Sequence, residues 1–291
     1  MLPRLGCFEG LISVRLVCNT GMELGFIPDW SLPAHVQAFM TVRAGGVSRP
    51  PFDALNLGDH VGDDPLAVAE NRRRLCARLG IQTAFLRQVH GEAVQHLTTS
   101  TVDSPNLVAD IALSTAPRVA ATIMVADCLP LLFAHQRLPV VAAAHAGWRG
   151  LAGAGTKRGA DGAGVIAQTI NAIAATTGQS LSDAARELTV WLGPAIGPGA
   201  FEVGEDVRAA FLTRTPGDDD AFVPRSTPGK YLADLPLIAR RKLRALGVTT
   251  ICGNDGSALW CTVSQADRYF SHRRDQKFGG SGRLAALIWL K

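Results

Sequence analysis

The hydrophobic positions of this chain change period several times, and each change marks an element. Val36 to Val42 is a short apolar run that reads as a strand. It leads into Arg43-Ala44-Gly45-Gly46-Val47-Ser48, where two glycines allow a tight turn or close approach to a ligand. Asp64-Pro65 starts a helix in which Val68, Leu75 and Leu79 recur at helical spacing until Gly80 stops it. The centre of the chain holds four apolar runs: Leu107 to Leu113, Val119 to Val125, Pro130 to Ala134 and Pro139 to Ala144. Their length and near-continuous apolar character predict strands of a sheet buried on both faces and covered by helices.

Further on, Gly153 to Gly164 is glycine-rich and predicts a mobile surface loop, after which Val165 to Thr177 reads as a helix. Leu188 to Leu192 reads as a strand that ends in Gly193-Pro194-Ala195-Ile196-Gly197-Pro198-Gly199. Leu235, Ile238, Ala239, Leu243 and Leu246 follow Asp234 as an amphipathic helix. Thr215 to Pro228, with its triplet Asp218-Asp219-Asp220, reads as a solvated polar loop rather than a metal site. No linker, composition break or repeat interrupts this pattern, so one α/β-type domain is expected.

Composition narrows the class of protein. Hydrophobic residues make up 47% and charged residues 19%, as in a globular chain. The formal charge of +4 is small and the basic residues fall in short groups, which points away from nucleic acid and leaves small anions as partners. Leu11 to Val17 is mildly apolar, but Glu9 precedes it and Arg15 interrupts it, so no signal peptide is expected. No apolar run reaches the roughly 18 residues of a membrane span. The six cysteines are scattered without a CxxC pair, as expected of a protein in the reducing cytoplasm.

Three metal-competent residues stand where apolar strands are expected to end: His90 in Gln88-Val89-His90-Gly91, Cys128 in Ala126-Asp127-Cys128-Leu129-Pro130, and His145 in His145-Ala146-Gly147-Trp148. Two imidazoles and a thiolate suit zinc, and three protein ligands leave a fourth position open, the catalytic pattern. The same residues would serve a cysteine hydrolase, with Cys128 as nucleophile, His145 or His90 as base and Asp127 to orient it. Spacing alone leaves both readings open. His60 is an intermediate candidate, whereas His35, His96, His135 and His272 have weaker cases. A second group is basic: Arg43, Arg149, Arg273, Arg274 and Arg283, each a candidate for phosphate.

These motifs together resemble the YfiH-like family, also described as polyphenol oxidase (laccase) domains, peptidoglycan editing factors or purine nucleoside phosphorylases. The likeness is carried by Thr41-Val42-Arg43-Ala44-Gly45-Gly46-Val47-Ser48, by Asn56-Leu57-Gly58-Asp59-His60-Val61-Gly62-Asp63-Asp64, and by the three ligand motifs. Gly193-Pro194-Ala195-Ile196-Gly197, Phe270-Ser271-His272-Arg273-Arg274-Asp275 and Gly282-Arg283 extend it, so it runs from about Met22 to Lys291. The resemblance implies an α+β fold, a layered α/β/β/α sandwich with mixed sheets similar to the catalytic domain of cytotoxic necrotizing factor. It implies zinc on His90, Cys128 and His145, with copper the weaker alternative.

The activity that it implies is phosphorolysis of adenosine, inosine or methylthioadenosine, with hydrolytic deamination of adenosine, in a cytoplasmic monomer or homodimer. Asp127 is then a candidate proton carrier beside Cys128, and Arg43, Asn56, His60, Arg149 and Arg273 are candidate contacts to substrate and phosphate. Residues 1–21 have no counterpart in the family and are expected to be an extension, disordered or not native, before a single catalytic domain over 22–291. The stretches Gly153 to Gly164 and Gln276 to Ser281 are longer than the pattern requires. Editing of peptidoglycan precursors by amide hydrolysis, copper-dependent phenol oxidation and a non-catalytic zinc module are the competing functions.

Overall fold

Strands in which every residue is buried need cover on both faces. β6 (Leu129–His135), β7 (Val141–Ala146) and β8 (Leu188–Leu192) are of this kind. With β3 (Val94–Leu97), β4 (Ile111–Ser114) and β12 (Thr250–Gly253) they form a six-stranded sheet in the order β12-β8-β6-β7-β4-β3. The β3/β4 and β8/β12 pairs are parallel and the rest antiparallel, so the sheet is mixed. This is a computed structural model that describes residues 24–154, 163–213 and 216–291.

Side chains alternate across this sheet into two cores, as the two-residue period of a strand demands. Leu131, Phe133, Ala142, Ala144, Val190 and Leu192 pack against α3 (Val165–Thr177), α5 (Glu205–Leu212) and α6 (Leu235–Ala245). Leu132, Ala134, Val141, Ala143 and Trp191 point the other way, onto a four-stranded sheet. That second sheet has the order β1 (Gly25–Phe26), β2 (Val36–Thr41), β13 (Leu284–Leu290) and β5 (Ala121–Val125). Within β13, Leu284, Ala286 and Ile288 enter the core between the sheets. Ala285, Leu287 and Trp289 enter a third core with Leu55, Leu57 and Leu75, the last on α1 (Pro65–Leu79). The layers are therefore helix, sheet, sheet, helix, the α/β/β/α sandwich that the resemblance implies.

Smaller elements complete the frame. α2 (Trp148–Ala152) and α4 (Leu181–Arg186) lie on the helical side of the large sheet, and α7 (His272–Asp275) precedes β13. β9 (Glu202–Gly204), β10 (Phe222–Pro224) and β11 (Lys230–Ala233) make a three-stranded sheet in the order β10-β11-β9. Helix starts follow side-chain chemistry: the Asp64 carboxylate accepts the Leu66 N–H at 2.9 Å and Asp234 accepts that of Leu237 at 2.8 Å.

Val36 to Thr41, Val165 to Thr177 and Leu188 to Leu192 lie where the hydrophobic pattern places them. Other expectations change. The large sheet carries helices on one face only, because a second sheet covers the other. The Leu107 to Leu113 run enters its strand only at Ile111, and Pro139 to Ala144 only at Val141. Thr215 to Pro228 is not a plain loop: a 3-10 turn and β10 occupy part of it, and Asp218 is buried there. Its acidic triplet is met by arginines, Asp220 by Arg241 and Asp219 by Arg208. Residues 1–21 and most of the Gly153 to Gly164 stretch lie outside the described residues.

Candidate metal centre

His90, Cys128 and His145 come from three separate segments and meet. Their ligand atoms all lie within 4.8 Å of one another, and Cys128 Sγ is 3.8 Å from His90 Nε2. The two imidazoles pack edge to face with ring centroids 4.8 Å apart. His145 is inside β7 rather than past its end, opposite Pro130 of β6, while Cys128 occupies the turn between β5 and β6. His90 lies in the loop before β3 with a left-handed backbone, φ 61°. Gln88 stitches that loop to β5, its side-chain amide donating to Met124 O at 2.8 Å and accepting Met124 N–H at 2.7 Å.

One residue that the sequence pattern did not single out lies behind the ligands. Asp110, at the entrance to β4, is completely buried and its carboxylate accepts four hydrogen bonds. Three come from consecutive backbone N–H groups, Val89 at 3.1 Å, His90 at 2.9 Å and Gly91 at 2.7 Å. The fourth comes from His145 Nδ1 at 2.8 Å. Burial raises the Asp110 carboxyl, but the His145 bond and charge and the Gly91 and Val89 N–H groups outweigh it, leaving it below the ordinary value. An ionised carboxylate can only accept, so Nδ1 of His145 carries a proton and Nε2 is left for a ligand bond. Asp110, and not Asp127, is thus the carboxylate that orients a histidine here.

The electrostatics favour a thiolate. Burial alone would raise the Cys128 thiol, but the His145 charge and hydrogen bonds from His145 and His90 overcome it and bring the thiol to about 6. Burial likewise pulls His145 down, and the charge of Cys128 with the Asp110 bond lifts it to about 9. Gly147 closes the cluster at short range: a Cβ there would lie 2.8 Å from His90 Cδ2 and 3.1 Å from Cys128 Sγ. Two imidazoles and a thiolate in mutual reach, one imidazole tautomer fixed from behind, fit a borderline-soft cation such as zinc. Among the described residues this is the group of His, Cys, Asp and Glu that could hold a metal.

The model of the multi-copper polyphenol oxidoreductase laccase family matches residues 37–291. The chain belongs to that family. Pseudomonas aeruginosa has a relative named purine nucleoside phosphorylase PA4543 that is 47% identical, over 93% of this chain and all 100% of its own length. The Escherichia coli K12 protein named purine nucleoside phosphorylase YfiH is 42% identical over 91% of this chain and 98% of its own. Among solved structures, Neisseria meningitidis protein NMB0706 superposes with a TM-score of 0.79 at 40% identity, covering 92% of this chain and 100% of that one. Bacillus licheniformis YfiH gives the same TM-score, 0.79, at 26% identity over 96% and 99%. The laccase-family chain is thus a YfiH-like protein in sequence and in fold.

The other expected site residues of this YfiH-like chain divide into two groups. Asp127 adjoins Cys128 with a left-handed backbone, φ 86°, and its two oxygens accept from Thr262 Oγ1 at 2.5 Å and the Arg273 N–H at 2.6 Å. Arg283 faces the same corner: burial lowers its guanidinium, while the charges of Cys128 and Asp127 act the other way. His60 is drawn below its ordinary value by burial and by the Arg283 charge, and pairs with Asp59. Arg149 stacks over the Trp148 ring at 4.2 Å, two residues past Gly147.

Arg43, Asn56 and Arg273 have their side chains engaged within the protein. Arg43 binds Asp53 O, Asp53 Oδ2 and Ala266 O. Asn56 is fully buried, donating to Gly58 O and Asp63 Oδ2 and accepting the N–H groups of Gly58 and Arg283. Arg273 donates its guanidinium N–H groups to Glu202 O. No described helix is long and apolar enough to cross a membrane.

Proposed function

We propose that this chain is a cytoplasmic, zinc-dependent purine nucleoside phosphorylase acting on adenosine, inosine and methylthioadenosine, with adenosine deaminase activity. The observation that carries the reading is the His90, Cys128 and His145 cluster with Asp110 fixing the free nitrogen of His145. When bound, zinc supplies Lewis-acid polarisation at its open fourth position. A multi-copper oxidase needs several coppers and many more imidazoles than this cluster provides. The names carried by relatives at 47% and 42% identity support the nucleoside substrate.

In phosphorolysis a phosphate oxygen bonds to C1′ of the ribose, the glycosidic bond breaks, and the purine leaves with the bond pair and takes up a proton. In deamination water adds its oxygen to C6 of adenine and ammonia leaves. Arg283 and Arg149 supply positive charge for the phosphate, and His60, held towards its neutral form beside Arg283, offers a ring nitrogen for a hydrogen bond. Asp127 adjoins Cys128 and is the residue to hold or pass a proton there. Arg43, Asn56 and Arg273 contribute by shaping the loops that bring Arg283 and Asp127 to the site. Incubating zinc-loaded protein with adenosine, with and without phosphate, tests this: adenine with ribose 1-phosphate, and inosine, are expected. Release of neither base nor inosine would overturn it.

One observation favours a second reading. Cys128, His145 and Asp110 form the nucleophile, base and orienting carboxylate of a cysteine hydrolase, which suits amide hydrolysis in editing of peptidoglycan precursors. Amidase activity on a serine-bearing muramyl precursor that survives chelation of metal and disappears in Cys128→Ala would select it.

A further inference from the structure

We infer that Asp110 is the positioning residue of the metal centre, a single carboxylate that sets the orientation of both histidine ligands before any metal arrives. This rests on the metal reading of the His90, Cys128 and His145 cluster.

The two histidines are held by different means. His145 is fixed through its ring, whose Nδ1 donates to Asp110 Oδ1 at 2.8 Å, and through its backbone, whose N–H donates to the Asp110 carbonyl at 2.8 Å. His90 is fixed through its backbone. The N–H groups of Val89, His90 and Gly91 converge on the Asp110 carboxylate, a concave arrangement that binds anions and here takes an internal one. Such convergence needs a residue in the left-handed region, and His90 at φ 61° is that residue. A histidine does not adopt this conformation readily, so the carboxylate that collects the three donors also holds the backbone from which the His90 ring reaches Cys128.

Asn at position 110 would keep the volume and lose this function in either orientation. Its NH₂ group would face either the Val89 and Gly91 donors, or the His90 N–H and His145 Nδ1. In the second case His145 Nδ1 becomes the acceptor and its proton moves to Nε2, the atom that must be free for metal. Loss of an outer partner of this kind weakens metal binding roughly 10- to 100-fold.

The test uses the purified full chain and zinc itself. Competition against a chelator gives the zinc dissociation constant of wild type and Asp110→Asn, and thermal melting follows the fold of each. Nitrogen NMR of histidine-labelled, zinc-loaded wild type reads which nitrogen of His145 carries the proton. A dissociation constant raised about 10- to 100-fold in folded Asp110→Asn, with Nδ1–H on His145 in wild type, is the expected result. A merely structural Asp110 would lower the melting temperature and leave zinc affinity unchanged, which overturns the inference. If Asp110→Asn does not fold, the wild-type spectrum decides, since coordination of zinc through His145 Nδ1 is incompatible with the inference. Wild type that binds zinc but leaves nucleosides untouched overturns the proposed function and leaves Asp110 in place; wild type that binds no zinc overturns both.

Discussion

At the scale of single residues, the centre depends on a missing side chain as much as on those present. Alanine at Gly147 would place a methyl group 2.8 Å from the His90 ring and 3.1 Å from Cys128 Sγ, so one ligand must move. Gly147→Ala is therefore expected to bind zinc more weakly in a chelator titration while its melting temperature stays close to that of chelator-treated wild type. Arg283 makes a different prediction. Arg283→Met keeps the stem that packs over Gly58 and removes the charge facing Cys128 and Asp127. If Arg283 holds phosphate as proposed, loss of a charged hydrogen bond of about 1.5–3 kcal/mol should raise the KM for phosphate roughly 10- to 100-fold, with a smaller change in any deamination, which needs no phosphate. The ligands themselves were legible because histidine and cysteine beside apolar runs are chemically conspicuous. Asp110 was not, because its partners His90 and His145 lie 20 and 35 residues away and a lone aspartate before a strand has no visible partner. Asn56 and Arg43 stood out as motif residues, yet folding turns their side chains on their own loops.

Among elements, α1 shows how a helix can organise loops that carry function. Asn71 is completely buried on α1, donating to Ser48 Oγ, Ala54 O and Asn56 O and accepting the Val47 N–H at 2.9 Å. It fastens the Gly45-Gly46 turn to the Asn56 loop. Asn71→Ala leaves several buried polar groups without partners and is expected to destabilise the fold by at least about 3 kcal/mol, read from denaturant unfolding. β13 was the principal element missing from the sequence pattern. All seven of its residues are buried, so it shows no polar alternation, and its two faces enter different cores. Leu287→Ala opens the core beneath α1 and should cost about 2–5 kcal/mol in the same experiment. The long helices α1, α3 and α6 were readable because each has a polar side that gives the period away.

For the whole molecule, the layered order follows from two sheets that each bury both faces. Sequence could predict the buried strands but not that a second sheet would provide the cover, since an apolar strand face reads the same beneath a helix or another strand. The metal centre lies where this frame joins distant segments: Asp110 enters the large sheet, His145 belongs to it, and Cys128 turns between the two sheets. A ligand that binds only the folded state adds about 2.7 kcal/mol at a hundred times its dissociation constant. Chelation should therefore lower the melting temperature of wild type and leave that of Cys128→Ala unchanged, as followed by circular dichroism.

The position of β13 has a consequence for biosynthesis. It lies between β2 and β5 in the smaller sheet, yet it is translated after both. While the ribosome is still adding residues up to Leu284, β5 lacks its neighbour, and the turn bearing Cys128 is fastened on one side only. Long-range pairings of this kind form slowly and leave apolar edges open meanwhile. Until Leu284 to Leu290 has emerged from the exit tunnel, the Cys128 turn should thus stay loosely held and offer a poor seat for a metal ion.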